Sequence, residues 1–309
     1  MSLFQRKNSK LIEIQEEPFK LERDLQRLTE ENLETIFGLE FVKTEFPVEG
    51  LEIDTLAYDK EKNAFVIIEY KRDGSFSIVD QGLSYLSRMF KYKAEFILGY
   101  NEEKKANLKR EDIDWSQSRV LFLARSFTTH QQNAINFRNL PIELWEVTQY
   151  NNNSVLYNRV QSEGAAESIE VFDQNPNVKK VSREVKEYIE EDVVPKNSKA
   201  EKLYQLLKKK VLVIEPNFTP HVTKFYIGFR IPGNWRIVFA VWSSREKLRV
   251  DFTRSKPQDF KDPEKKVYYR KDSFKQYNQH LSRMDVESEK DVEYAVYLIG
   301  QLYDRFKKM

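Results

Sequence analysis

The first regular pattern along the chain is helical, with Leu21, Leu25, Leu28, Leu33 and Ile36 recurring near a 3.6-residue spacing. Pro18 suits the first turn of such a helix, and Gly38 the position just past its end. The pattern then changes to strands. Residues 41–48, 51–59 and 64–71 read as three of them, and the last, AFVIIEYK, is the near-continuous apolar run of a strand buried in mid-sheet. After Gly74 an amphipathic segment runs through Val79, Leu83, Leu86, Phe90 and Phe96. A strand at 119–124, a helix at 129–137 and a strand at 142–148 follow, with 155–160 as an added edge. A polar lead-in, residues 1–17, precedes the block and carries a short strand at 11–14.

The stretch 161–178, with Ser162, Gly164, Ala165 and Ala166, has the composition of a linker. Beyond it, 181–194 and 200–210 read as helices, 225–231, 235–242 and 248–253 as strands, and 292–306 as a closing helix. The tight link 232–234 makes the first two of these strands a hairpin. The expected organisation is therefore a lead-in (1–17), an α/β domain (18–160), a linker (161–178) and a smaller α+β domain (179–309). The first domain, in order helix, three strands, helix, strand, predicts a mixed sheet with helices on its faces.

Composition narrows the chemistry. The chain has 309 residues, no cysteine and three histidines far apart in sequence, so disulfides, thiolate catalysis and thiolate zinc sites are excluded. Hydrophobic residues make up 40%, enough for packed cores, and the charged 32% nearly cancels to a formal +2. No whole-chain field draws in nucleic acid, so any basic surface is local. No apolar run reaches the ~18 residues that span a bilayer, which predicts a cytoplasmic protein with no membrane partner.

The sharpest chemical signal lies in the second and third strands. If residues 60–63 close a hairpin, Asp59 faces Ala64, and the same register sets Asp54 opposite Glu69 and Glu52 opposite Lys71. Side chains alternate along strands, so all four share a face that is otherwise apolar, with Leu56, Tyr58, Phe65 and Ile67. Like charges opposed across a ladder are destabilising, so a counter-cation is expected. Lys71 is one; Mg²⁺ or Mn²⁺, hard ions held by carboxylate oxygen, would be another. Such an ion can polarise a phosphoryl oxygen and supply hydroxide, while the lysine orients the attacking water. The plainer alternative is a cross-strand salt-bridge cluster.

These residues resemble the PD-(D/E)XK nuclease superfamily. The match runs through LEID at 51–54 and VIIEYK at 66–71, after a helix bearing LERDLQ, and covers about residues 18–150. Ile53 stands where the family has a proline. The resemblance implies a restriction-endonuclease-like αβββαβ core and a metal-dependent nuclease, with Asp54 and Glu69 as metal ligands and Lys71 serving the nucleophile. Glu22 resembles the helix-one glutamate of archaeal Holliday-junction resolvases, a further metal ligand; an acid in a first helical turn also simply complements the dipole. Gln81 and Tyr85, four apart on one helix face, resemble the QxxxY element of RecB-type nucleases.

The second domain interleaves aromatic residues with cations: Lys224, Tyr226, Phe229, Arg230, Trp235, Arg236, Trp242 and Arg249. Lys224, Arg230, Trp235 and Arg236 are candidates for a nucleic-acid face, against the plainer reading of a sheet apolar inside and charged outside. The domain resembles uncharacterised C-terminal modules that accompany nuclease-like domains, which implies no mechanism. The leading expectation is a Mg²⁺-dependent DNA endonuclease, DNA being favoured over RNA, with a homodimer allowed. The competing class is a non-cleaving nucleic-acid-binding or adaptor protein on the same fold.

Overall fold

Residues 3–19, 21–71, 77–135, 140–160, 176–231, 236–277 and 279–308 are described by a computed structural model of the chain. They fall into two units, Met1–Glu187 and Tyr188–Met309. Among them no helix is long and apolar enough to cross a membrane.

The first unit opens with a two-stranded ribbon, β1 (Leu3–Lys7) and β2 (Lys10–Ile14). Helices α1 (Glu22–Glu31) and α2 (Leu33–Phe37) follow, then strands β3 (Glu40–Val48), β4 (Leu51–Asp59) and β5 (Ala64–Lys71). Next come α3 (Ile78–Lys91), α4 (Lys93–Lys104), β6 (Arg119–Ala124), α5 (Thr129–Ala134), β7 (Ile142–Gln149), β8 (Val155–Arg159) and α6 (Pro176–Glu184). The strands form one mixed sheet in the order β3-β4-β5-β6-β7-β8. The hairpins β3–β4–β5 and β7–β8 are antiparallel; β5–β6 and β6–β7 are parallel, each joined by a helical crossover.

Apolar side chains of alternating parity cover the two faces. On one, Leu56, Phe65, Ile67 and Phe122 pack beneath α3, α4 and α6; on the other, Ala57, Val66, Ile68 and Tyr70 pack beneath Leu25, Leu33 and Phe37 of α1 and α2. With both faces covered, β5 is buried from Ala64 to Tyr70. Its charged residues therefore lie at the end of a central strand.

Several boundaries differ from the sequence expectations. The first helix begins at Glu22 and not at Pro18, because the Asp24 carboxylate accepts the Leu21 N–H at 3.2 Å and caps the turn there. It breaks at Asn32 and ends at Gly38, left-handed at φ 70° as expected of a helix stop. The long amphipathic segment divides at Tyr92 into α3 and α4. Residues 136–139 and most of the expected linker, 161–175, lie outside the described residues. Val178, expected in the linker, and Val181, expected to open the second domain's helix at 181–194, are both buried in the first unit's core.

The second unit contains α7 (Glu190–Val193), α8 (Lys199–Ile214), β9 (Thr219–Val222), β10 (Tyr226–Arg230), β11 (Ile237–Ser243) and β12 (Leu248–Thr253). It closes with β13 (Tyr268–Tyr269), α9 (Ser273–Tyr277), β14 (Leu281–Val286) and α10 (Glu289–Phe306). Its sheet is wholly antiparallel, in the order β13-β14-β12-β11-β10-β9, and α8 and α10 bury Phe229, Phe239, Phe252 and Met284 on one face. The expected α+β class holds, with β9, β13 and β14 additional to the strands read from sequence. The expected 232–234 hairpin link lies outside the described residues.

Candidate active site

The site begins with a turn. Both Glu61 and Lys62 donate their N–H groups to Asp59 Oδ1 at 3.0 Å, while Arg119 holds Asp59 Oδ2 at 3.0 Å. That fixes the β4–β5 register, and the pairs Asp59–Ala64, Tyr58–Phe65, Leu56–Ile67 and Thr55–Ile68 are those expected from the hairpin. Beyond Thr55–Ile68 the ladder opens, and two carboxylates take the place of its backbone acceptors. The Asp54 N–H donates to Glu69 Oε1 at 3.3 Å, and the Tyr70 N–H donates to Asp54 Oδ2 at 2.9 Å. Asp54 and Glu69 thus face each other across parting strands.

Glu69 is 1% exposed. Its partners are Lys71, with Nζ 3.2 Å from Oε2, and the Tyr85 hydroxyl, which hydrogen-bonds the carboxylate. Gln81 Nε2 in turn donates to Tyr85 Oη at 3.1 Å. The two members of the expected QxxxY element therefore form a chain ending on Glu69. Helix α3 can approach this closely because residue 82 is glycine: a Cβ there would fall 2.5 Å from Ile142 Cδ1.

One lysine does not balance two carboxylates in a dry site. Burial first, and the Asp54 charge second, push the Glu69 carboxyl up to about 7; Lys71, the Asp54 N–H and Tyr85 pull the other way. Burial also raises Asp54, against the Tyr70 N–H and Lys71. The Tyr85 hydroxyl is raised by burial and then by Glu69.

Glu52 does not join this group. Its strand pairs with β5 only as far as Thr55, and Glu52 is exposed and paired with Pro47 on β3, so the expected opposition to Lys71 is absent. Glu22 starts α1 on the other face of the sheet. It shares a cavity of about 460 Å³ with Lys71, Glu17, Phe19, Arg125 and Gln149. Among the described residues no three His, Asp or Glu side chains group as a metal cage, so Glu22 does not complete one with Asp54 and Glu69.

Sequence reading missed the support behind Asp54. Gln26 Nε2 donates to the Asp54 carbonyl at 3.0 Å and to Glu30 Oε1 at 3.1 Å, and Thr55 Oγ1 donates to Glu30 at 2.5 Å. Glu22, Gln26 and Glu30 recur every four residues, a polar stripe on α1 that was visible in the sequence.

Of the second-unit candidates, Arg230 and Arg236 come to the same end of the β10–β11 pair, where Arg230 opposes Ile237, and Lys224 lies at the other end. Lys224 precedes β10, its ammonium 5.3 Å from the Phe225 ring centroid, whereas Arg230 ends that strand; Arg236 precedes β11, and Trp235 lies outside the described residues. The cation–aromatic cluster is elsewhere. Arg270 and Arg283 lie 5.0 and 5.7 Å from the Trp242 ring, and both pair with Asp251, which is 2% exposed.

A six-stranded mixed sheet carrying a carboxylate pair and a lysine at the end of its central hairpin thus defines the first unit. The chain is 42% identical over 236 residues to an uncharacterized protein of Haemophilus influenzae, a match covering 76% of this chain and 78% of that one. It belongs to the family of that protein. No family model matches the chain. Two solved structures are similar in part. A repair endonuclease from Pyrococcus abyssi aligns at a TM-score of 0.25 and 22% identity, over 43% of this chain and 50% of that one. An EndoMS–dsDNA complex aligns at 0.26 and 16%, over 47% and 64%. Alignments this slight carry no mechanism across.

Proposed function

We propose that the chain is a divalent-metal-dependent nuclease that hydrolyses phosphodiester bonds, acting on DNA rather than RNA and cutting internally. The observation that carries this reading is the Asp54–Glu69–Lys71 group at the parting of β4 and β5, closed by Tyr85. The donor set fits Mg²⁺ or Mn²⁺. Two carboxylates sit side by side on rigid strands, one is nearly dry, and their combined charge exceeds that of the lysine between them. A cation held by Asp54 and Glu69 would polarise a phosphoryl oxygen and make water acidic enough to attack.

The chain's own groups supply the rest. Lys71 orients the attacking water and offsets charge developing on the phosphoryl oxygens. Tyr85, held by Gln81, fixes the Glu69 carboxylate by hydrogen bonding, and the N–H groups of Asp54 and Tyr70 hold the two acids to the strand ends.

The test is nicking of supercoiled plasmid with Mg²⁺, Mn²⁺ or EDTA. Wild type should nick only with metal, and Asp54→Ala and Lys71→Ala should each lose about 10²–10³-fold or more. Equal nicking by wild type and both variants, or none by wild type with either metal, overturns the assignment.

A further inference from the structure

The ribbon β1–β2 has no role in the site, yet its construction is unusual. Every residue in its two strands except Ile14 is exposed, Leu11 by 67% and Phe4 by 48%. A two-stranded ribbon is marginal in water by itself. This one also places like charges together: Lys7 directly opposes Lys10 beside the turn at Asn8, with Arg6 next along the strand. Opposed like charges weaken a ladder. Its acid, Glu13, lies opposite Phe4 at the other end of the ladder.

The root, in contrast, is anchored. The Glu17 N–H donates to the Gln149 carbonyl at 2.8 Å, the Asn151 N–H donates to the Gln15 carbonyl at 3.0 Å, and Glu16 bridges to Tyr150. Glu17, Pro18 and Phe19 then line the cavity that holds Lys71. Glu13, Glu16 and Glu17 thus lie toward the base of the ribbon, where Arg125 pairs with Glu16 at 3.5 Å, and the ribbon's own cations lie at its free end.

We propose that β1–β2 is a DNA-gripping arm that lies in a groove of the duplex, with Arg6, Lys7 and Lys10 on phosphates. A β-ribbon is of a size that the major groove admits. The phosphate backbone supplies the negative charge that the Lys7–Lys10 pair calls for, and each neutralised phosphate releases counterions. Phe4, Arg6 and Leu11 share one face with Glu13, and Lys7 and Lys10 point to the other, so the two faces offer cations to the two phosphate walls of a groove while apolar surface meets sugars. The inference rests on the reading of the neighbouring site as one that cuts DNA.

The experiment is fluorescence anisotropy of a labelled duplex with the full chain in EDTA, across a salt series. Replacing Arg6, Lys7 and Lys10 together by Ala should weaken binding about tenfold or more at low salt and flatten the log–log salt slope by about 2–3. Lys7→Glu separates binding from folding: it turns a like-charge pair into an opposite-charge pair, firming the ribbon while weakening DNA binding. Unchanged slope and affinity in the triple variant, or binding kept by Lys7→Glu, overturns the arm. So does Phe4→Ser/Leu11→Ser changing the sedimenting mass while DNA affinity stays, since the ribbon would then hold a second copy of the chain. If wild type binds with the expected slope but cuts nothing, the nuclease assignment falls and the arm stands.

Discussion

Each unit of the molecule buries a carboxylate on a sheet strand, and the two do it in opposite ways. In the second unit Asp251 is shared by two guanidiniums, Arg270 Nη1 at 2.8 Å and Arg283 Nε and Nη2 at 2.5 and 2.9 Å, with Trp242 beside both. In the first unit the ratio is reversed: Asp54 and Glu69 share one lysine. A buried acid with surplus cations is satisfied from within the chain. A buried and a half-buried acid with one cation are not, and the Glu69 carboxyl, raised to about 7, registers the deficit. The first arrangement holds a sheet together; the second is the charge imbalance on which the proposed metal site rests.

The comparison breaks most easily at Asp251. Asp251→Ala should destabilise the second unit by about 3–5 kcal/mol, because two guanidiniums would be left without their counter-charge. Denaturant unfolding followed by Trp fluorescence measures this, and the folded variant should still nick plasmid. Asp54→Ala should behave inversely, abolishing nicking without a comparable loss of metal-free stability. If the two substitutions cost the same stability, the contrast between a structural and a ligand-holding cluster is wrong.

The pH dependence sharpens the same point. In the folded metal-free protein Glu69 titrates near 7, against 4.5 for the ordinary carboxyl. Between those values the folded state binds more protons than the unfolded chain, so stability is full below 4.5 and falls as pH rises through about 7. The loss is on the order of 3 kcal/mol. Glu69→Gln should flatten this slope, and saturating Mg²⁺ should flatten it in wild type by stabilising the ionised pair. Thermal melts across that window would refute the deficit if the metal-free wild type were already flat.

Much of the site was legible because it depends on short-range rules. A four-residue loop and strict alternation give the β4–β5 pairing as far as Thr55–Ile68, and Asp54 and Glu69 follow just beyond it, joined by the Asp54 N–H. The Gln81–Tyr85 spacing likewise put both on one face of α3. What failed were features set by distant parts of the chain. Nothing within LEID says that the ladder opens after Thr55, which is what removes Glu52. Strand β13 is two residues long, and β14, LSRMDV, points Ser282 inward with Met284 and Val286, so its alternation is weak. Helix α6 straddles the expected join between linker and second-domain helix, and it is the packing of its Val178 and Val181 into the first unit's core that places it.

The smallest effect probes how finely the acid pair is held. Tyr85 is 5% exposed and its hydroxyl sits between Gln81 and Glu69. Tyr85→Phe keeps the packing under α3 and removes one hydrogen bond to the carboxylate, worth about 1 kcal/mol, or roughly fivefold in rate. Losing that donor also raises the Glu69 carboxyl further, so the rate of nicking against pH should shift to higher pH. Gln81→Ala leaves the hydroxyl in place but frees its orientation, and should shift the same profile less. A tyrosine that only filled space would lower neither rate nor shift the profile when replaced by phenylalanine. An unmoved profile in both variants would make the QxxxY pair packing alone, and leave Lys71, the two backbone N–H groups and the Gln26 support behind Asp54 to position the acids.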